Sequence, residues 1–325
     1  MTLGLLLGLT GGVRADDFMY WTDQDTGEIR RASLDGTGQV IVVSGQGVGL
    51  TGIALDVAAG QMYWTNQGNS FIRRANLDGT GQQTLLSGAI APFGLALDLA
   101  AGQMYWTDTG LQQDVRRGNL DGTGQLFLVP SQPDAPTGIA LDVAAGKMYW
   151  ASQFGHTIWQ ANLNGTGQRA VLTGLPEPSG IALDLAAGKI YWTDVQGGIR
   201  RSNLDGSGVE TLVAGAFGDF GIALDLVAGK VFWTNFNSDL IRRANLDGTG
   251  EETLISGLTF PAEIALQVGA TAVPEPSTAV LFVLGVLIMS SSGCSWRHRI
   301  WTSERAFRRP TSTASKAVFG SRHAP

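Results

Sequence analysis

Tyr20-Trp21-Thr22-Asp23 is the first of six closely related stretches in this chain. The later copies are centred on Trp64, Trp106, Trp150, Trp192 and Trp233, at intervals of 41 to 44 residues. An Ile-Ala-Leu-Asp-like run precedes the later copies, and an Asn-Leu-Asp-Gly-Thr-Gly-like run follows each copy. A fixed period of this length, rich in strand-forming residues, is typical of a β-propeller in which each repeat forms one blade.

One full period divides into four short runs that favour β-strands. They are Gly52–Asp56, Met62–Asn66, Ile72–Gly81 and the run that ends at Gly88. Each is rich in Ile, Leu, Val, Tyr, Trp or Thr and is bounded by Gly, Asn or Asp. No window in the repeats has the apolar spacing of a helix. The sequence therefore predicts an all-β fold with four antiparallel strands per blade.

The two ends of the repeat region predict how the ring closes. The first repeat lacks the innermost strand, and a surplus copy of that strand survives as Ala262–Leu266. We expect Glu263–Gln267 to pair with Met19–Asp23, which gives six complete blades and leaves no open edge at the seam.

The fourth repeat departs from the others. It reads Tyr-Trp-Ala-Ser at 149–152 and Ile-Trp-Gln-Ala-Asn-Leu-Asn-Gly at 158–165, so it lacks the shared Asp, both arginines and the Asp of the turn. This joint loss suggests that the Asp and an Arg are partners in other blades. Asn66 and Asn235 replace the Asp in repeats that keep their arginines, which weakens that inference.

The Tyr-Trp-Thr-Asp stretch, followed by Ile-x-Arg-Ala-Asn-Leu-Asp-Gly, strongly resembles the low-density lipoprotein receptor class B repeat, known as the YWTD propeller. The resemblance covers about residues 19 to 270. It implies a six-bladed extracellular module that binds other proteins and is not an enzyme.

Both ends outside the repeats have the composition of targeting segments. Residues 1–15 read as a secretory signal peptide, which leaves residues 16–270 for the propeller. Residues 271–325 hold a Pro-Glu-Pro motif, an apolar stretch at 279–296 and then a basic cluster. This order resembles the bacterial PEP-CTERM sorting signal, which implies processing by an exosortase and transient membrane anchoring. An unprocessed tail anchor is the alternative.

Charge and residue usage narrow the function. Residues 16–270 contain 14 Lys and Arg against 26 Asp and Glu, a net charge of −12, which argues against nucleic acid as a partner. The repeats contain one histidine, His156, and no cysteine, so the sequence predicts no catalytic residues, no bound cofactor and no His/Cys metal site. A metal-dependent hydrolase or lyase resembling gluconolactonase propellers, with carboxylates holding the metal, is the alternative function.

The least repetitive residues predict the binding site. Loops that lead into the innermost strands share one face with loops that follow the second strands. The first group carries the predicted ligand residues Phe93, Asp134, Glu177, Asp219, Phe220, Phe260 and Glu263, and the second group adds Phe71, Leu111, Phe154 and Phe236. Aromatic anchors among acids suit a protein, glycan or cation ligand, and we expect an extracellular protein or polysaccharide. The chain is therefore predicted to be an exported or surface-bound binding module of the extracellular matrix.

Overall fold

The computed structural model describes residues 17–88, 91–130, 135–215 and 217–269, which form 24 strands in six four-stranded antiparallel sheets. This confirms the predicted all-β, six-bladed propeller. The described ranges contain no helix, and so none with the length and apolar character needed to cross a membrane. The predicted signal peptide (1–15), the sorting segment (271–325) and its span at 279–296 lie outside the described residues.

Each blade has the same order of strands from the centre outward. The innermost strands are β4 (Leu50–Asp56), β8 (Pro92–Asp98), β12 (Pro136–Asp142), β16 (Pro178–Asp184), β20 (Asp219–Asp225) and β24 (Pro261–Gln267). The second strands, which carry the tryptophans, are β1 (Phe18–Asp23), β5 (Gln61–Asn66), β9 (Gln103–Asp108), β13 (Lys147–Ser152), β17 (Lys189–Asp194) and β21 (Lys230–Asn235).

The third strands are β2 (Glu28–Ser33), β6 (Phe71–Asn76), β10 (Asp114–Asn119), β14 (Thr157–Asn162), β18 (Ile199–Asn203) and β22 (Leu240–Asn245). The outer strands are β3 (Val40–Val43), β7 (Gln83–Ser87), β11 (Leu126–Val129), β15 (Arg169–Leu172), β19 (Glu210–Val213) and β23 (Glu252–Ser256). Blade one is β24-β1-β2-β3, and blades two to six follow in chain order.

The ring closes where the sequence predicts. Strand β24 pairs antiparallel with β1, so that Leu266 lies opposite Met19 and Ile264 lies opposite Trp21. The innermost strands contact one another around a complete circle, β24 touching both β4 and β20. Two side-chain bonds support the seam: Asp17 Oδ1 accepts from the backbone N–H of Gly269 at 2.7 Å, and Tyr20 contacts the Gln267 side chain.

The core lies between blades, and one strand serves two parts of it. Tyr20 packs in the cluster that holds Trp64 of the next blade, whereas Trp21 packs with Phe232 of the preceding blade. Successive side chains of a strand point to opposite faces, so each Tyr-Trp pair faces two neighbours. All six shared tryptophans are fully buried. The repeated motif therefore packs each blade against both of its neighbours.

The threonine of the motif ties neighbouring innermost strands together. In blade two, Thr65 Oγ1 accepts from the N–H of Gly52 at 2.7 Å and donates to the Phe93 carbonyl of blade three at 2.6 Å. Thr22, Thr107, Thr193 and Thr234 make the same two contacts in their blades. A Cβ on Gly52 would lie 2.4 Å from that same carbonyl, which explains the glycine there.

The predicted Asp–Arg partnership is confirmed in two blades. Arg116 lies 3.2 Å from Asp108 in blade three, and Arg200 lies 3.3 Å from Asp194 in blade five. In blade one the corresponding arginine pairs with Glu28, and in blade six it pairs with Glu251. The motif Asp also caps the adjacent loops: Asp108 Oδ1 accepts from the N–H groups of Ala91 and Gly110.

Candidate functional site

A group of five phenylalanines, the phenylalanine cluster, lies on the face formed by the loops that lead into the innermost strands and those that follow the second strands. We call this the loop face. Phe236 is at the centre, with its ring stacked on Phe260 at 4.7 Å and edge-on to Phe217 and Phe220 at 5.9 and 5.6 Å. Phe93 completes the cluster, 5.7 Å from Phe220. Such contacts hold aromatic rings in fixed relative positions.

The cluster reaches from the middle of the ring to its surface. Phe93 belongs to blade three and Phe220 to blade six, which are opposite each other, so their contact bridges the centre of the ring. Phe220 is buried, whereas Phe217 is 48% exposed. The loop face therefore presents an exposed aromatic ring, Phe217, in contact with the partly buried Phe236, which in turn packs on the buried Phe220.

Phe260 is held in place by its backbone. Its φ of 56° is in the left-handed region, which costs energy for a residue with a side chain. Its N–H donates to Asp239 Oδ1 at 3.0 Å, and its carbonyl accepts from the N–H of Gln24 at 3.0 Å. These bonds fix the ring that stacks on Phe236.

Of the predicted acids, Asp219 is fully buried. Its carboxylate accepts from the N–H of Gly198 at 2.9 Å and from Asn235 Nδ2 at 2.8 Å. Burial raises the pKa of this carboxyl, and the two hydrogen bonds partly oppose the rise. Asp219 thus joins the loops of blades five and six and does not present its carboxylate at the surface.

Glu177 and Asp134 complete the loop acids. Glu177 is partly exposed and accepts from the side-chain amides of Gln196 and Gln153, at 2.5 and 3.3 Å. Asp134 lies outside the described residues.

Glu263 stands where the other five blades have glycine. Its Oε1 accepts from the N–H groups of Ile222 and Ile264, at 3.2 and 3.4 Å, on neighbouring innermost strands. Although the residue keeps some exposed surface, its carboxyl is enclosed by protein, and this desolvation raises its pKa to about 8. The carboxyl sits between the strands at the centre of the ring, away from the surface loops.

The structure thus brings four of the predicted phenylalanines together, whereas the described acids have separate partners; the four are Phe93, Phe220, Phe236 and Phe260. Phe71 is buried in blade two, and Leu111 and Phe154 are exposed outside the cluster. Phe217 was missed because it lies two residues before the recurrent strand, where no repeat position marks it. The ligand role of the predicted residues stays a prediction.

The described ranges contain no group of three or more His, Cys, Asp or Glu side chains placed to hold a metal ion. Both carboxylate oxygens of Asp219, and Oε1 of Glu263, accept hydrogen bonds from backbone or amide N–H groups.

Comparison with known proteins supports the repeat and the fold. Residues 17–57 match the low-density lipoprotein receptor repeat class B family. No curated protein sequence matches the chain significantly. A chain in the crystal structure of a nidogen/laminin complex is similar over 78% of this chain and 100% of its own length, with 21% identity and a TM-score of 0.72. TolB from Acinetobacter baumannii is similar over 78% of this chain and 67% of its own, with 12% identity and a TM-score of 0.62. The chain is therefore a six-bladed propeller that carries a class B repeat.

Proposed function

We propose that this propeller is a binding module for an extracellular protein and that the phenylalanine cluster is its contact surface. One observation carries the proposal: Phe217 is 48% exposed and rests edge-on against Phe236. Aromatic rings that are already ordered lose little entropy on binding, and such residues dominate the energetics of protein interfaces.

The relatives and the composition support the same function. The nidogen/laminin structure is of a complex between proteins and shares the fold. The class B repeat that this chain matches takes its name from an extracellular receptor. This match favours export and a role at the cell surface or in the matrix. Exosortase processing of the C-terminal segment, and a polysaccharide as a second type of partner, belong to this proposal as well.

We propose a binding role in preference to catalysis. Asp219 is buried among its donors, and Oε1 of Glu263 is held by the N–H groups of two neighbouring innermost strands. A hydrolase or lyase needs a base that reaches bound substrate, whereas both of these carboxyls are enclosed by protein and accept hydrogen bonds from it.

The proposal is tested by capture of extracellular proteins from the producing cells on the immobilised full-length chain. Phe217→Ala should weaken capture by roughly 30-fold, because truncating an aromatic anchor typically costs about 2 kcal/mol. Phe154→Ala, an exposed aromatic on the same face but outside the cluster, is the matched control, and Leu185→Ala tests the opposite face.

Both controls should bind as the unmodified chain does, and all variants should keep its melting temperature. Equal losses in Phe154→Ala and Phe217→Ala would contradict the proposal. Capture that survives proteolysis of the extracellular material would identify a polysaccharide partner in place of a protein.

A further inference from the structure

Arg73 in blade two differs from its counterparts in the other blades. The arginines at this position in blades one, three, five and six each lie within 3.3 Å of a carboxylate; they are Arg30, Arg116, Arg200 and Arg242. Arg73 has no ion-pair partner among the described residues, although it is only partly exposed. Among those residues, no carboxylate therefore pairs with its charge.

The sequence of blade two removes each acid that compensates this arginine elsewhere. Asn66 stands at the position of Asp108 and Asp194, and Phe71 stands at the position of Glu28 and Asp114. The third position is Gln82, which corresponds in the repeat to Glu251 of blade six. Three neutral replacements around one retained arginine point to an external anion.

The guanidinium of Arg73 is nevertheless firmly oriented. It lies over the ring of Phe71 at 4.1 Å, Nε donates to Thr84 Oγ1 at 3.1 Å, and Nη1 donates to Gln46 Oε1 at 2.7 Å. Within the described ranges, Nη2 has no hydrogen-bond partner. A fixed guanidinium with free N–H groups is suited to bidentate recognition of a carboxylate.

Arg73 lines a cleft of about 520 Å³ on the loop face, together with Gln46, Asn69, Thr84 and Ser87. Gln46 is buried and is itself held by Ser44 and Gln82. The exposed amide and hydroxyl groups of the other three residues can pair with hydroxyl groups of a ligand.

A glycine-rich loop shapes the other wall of the cleft. Gly45, Gly47 and Gly49 all have positive φ, and a Cβ on Gly47 would lie 2.3 Å from Asn69 Nδ2. Asn69 Nδ2 in turn donates to the Gln46 carbonyl at 3.1 Å. The loop and the amide side chain therefore fit together and leave the cleft open beside Arg73.

We propose that this cleft binds a uronate, a sugar with one carboxylate, through Arg73. The carboxylate pairs with the guanidinium, and the sugar hydroxyls meet Asn69, Thr84 and Ser87. A neutral sugar would leave the positive charge of Arg73 without a partner. An apolar side chain would have little apolar surface to contact, because Phe71 is buried beneath the guanidinium. The site is in blade two and does not depend on the phenylalanine cluster.

The test is calorimetric titration of the full-length chain with D-galacturonate, with D-galactose as the matched neutral sugar and acetate as the matched carboxylate. We expect millimolar binding of galacturonate that is at least tenfold tighter than that of either comparison ligand. Titration with oligogalacturonate shows whether the natural ligand is a polysaccharide or a free sugar. Tighter binding per uronate unit than that of galacturonate identifies a polysaccharide, and equal binding per unit identifies the free sugar.

Three variants make the test specific. Arg73→Gln should lose tenfold or more in affinity, whereas Arg242→Gln, the equivalent change in blade six, should leave it unchanged. Gln82→Glu restores the carboxylate that pairs with the equivalent arginine in blade six. The new carboxylate should form an ion pair with Arg73, so this variant should also bind galacturonate more weakly. Its melting temperature should not fall. Phe217→Ala should have no effect. Equal affinity for galactose or acetate, or full binding by Arg73→Gln or Gln82→Glu, would overturn the proposal.

Discussion

Blades one and four depart from the common pattern in opposite ways. Blade one keeps the repeated side chains of its second strand but takes β24 from the far end of the repeat region. Blade four is continuous along the chain but has Ala151 where the other blades have threonine. Its Thr137 supplies the missing hydroxyl, donating to the Ser179 carbonyl of blade five at 3.1 Å.

Blade four also replaces charged contacts with neutral ones. Trp159 takes the place of the first arginine and stacks on Trp150, with 6.4 Å between ring centres. Gln160 takes the place of the second and donates to the Tyr149 hydroxyl, as Arg201 does to Tyr191 in blade five. The ring thus tolerates loss of chain continuity or of the motif, provided that a hydroxyl still joins adjacent innermost strands.

Removing β24 should have the largest effect, because blade one depends on it completely. Truncation after Gly257 deletes Ile264 and Leu266 and exposes the edge of β1, which should cost roughly 5 kcal/mol or more. Thermal unfolding followed by circular dichroism checks this. Truncation after Gly269 is the matched control and should melt as the full chain does. Cooperative melting at the same temperature after both truncations would contradict the closure.

Removing a motif threonine hydroxyl that joins neighbouring innermost strands should cause the next largest loss of stability. The size of this loss should depend on whether the innermost strand carries a second hydroxyl that can replace it. Thr107→Val leaves the Gly94 N–H and the Thr137 carbonyl without their partner, in a blade whose innermost strand has Phe93 at the substitute position. The loss should be about 2–4 kcal/mol, because buried unpaired polar groups cost about 1–3 kcal/mol each.

The matched variant is Thr65→Val in blade two. There the Thr51 hydroxyl lies 3.0 Å from Thr65 Oγ1 and donates to the Pro92 carbonyl of blade three at 3.2 Å. It can turn to the neighbouring Phe93 carbonyl, the equivalent of the Ser179 carbonyl that Thr137 bonds in blade four. The loss should be about 1 kcal/mol. Urea unfolding measures both values, and equal losses would show that the substitute hydroxyl contributes nothing.

Glu263 gives blade one a pH-dependent contribution to stability that the glycines of the other blades lack. Its pKa is raised to about 8 in the folded protein, so the fold favours the protonated form. Stability should be greatest below the pKa of an unfolded glutamate, about 4.3, and should fall as the pH rises towards 8.

Glu263→Gln should remove this fall, so the variant should be more stable than the unmodified chain at pH 8.5 and little changed at pH 4.5. Urea unfolding at the two pH values measures it. Glu177→Gln, on the loop face, should keep the pH dependence of the unmodified chain. If Glu263→Gln showed the same pH dependence of stability as the unmodified chain, another titratable group would be responsible for it.

The sequence was sufficient for the ring and its closure because both follow from repetition: six tryptophan strands and a surplus innermost strand at Ala262–Leu266. The sequence did not predict in which direction individual side chains point. Asp219 begins a strand, and whether its carboxylate faces solvent or the Gly198 loop depends on tertiary contacts. The neutral surroundings of Arg73 were visible in the repeats, but only the structure shows which positions surround the guanidinium.

The pairing of β24 with β1 has a consequence for the order of events during synthesis. Trp21 and its partner Ile264 are separated by more than 240 residues, so β1 has no neighbour on its inner side while blades two to six are made. At a translation rate of about 5–20 residues per second, that edge stays open for roughly 12–50 s. A nascent chain needs protection of β1 throughout that interval, and the ring becomes resistant to edge-to-edge association only when its last strand has left the ribosome.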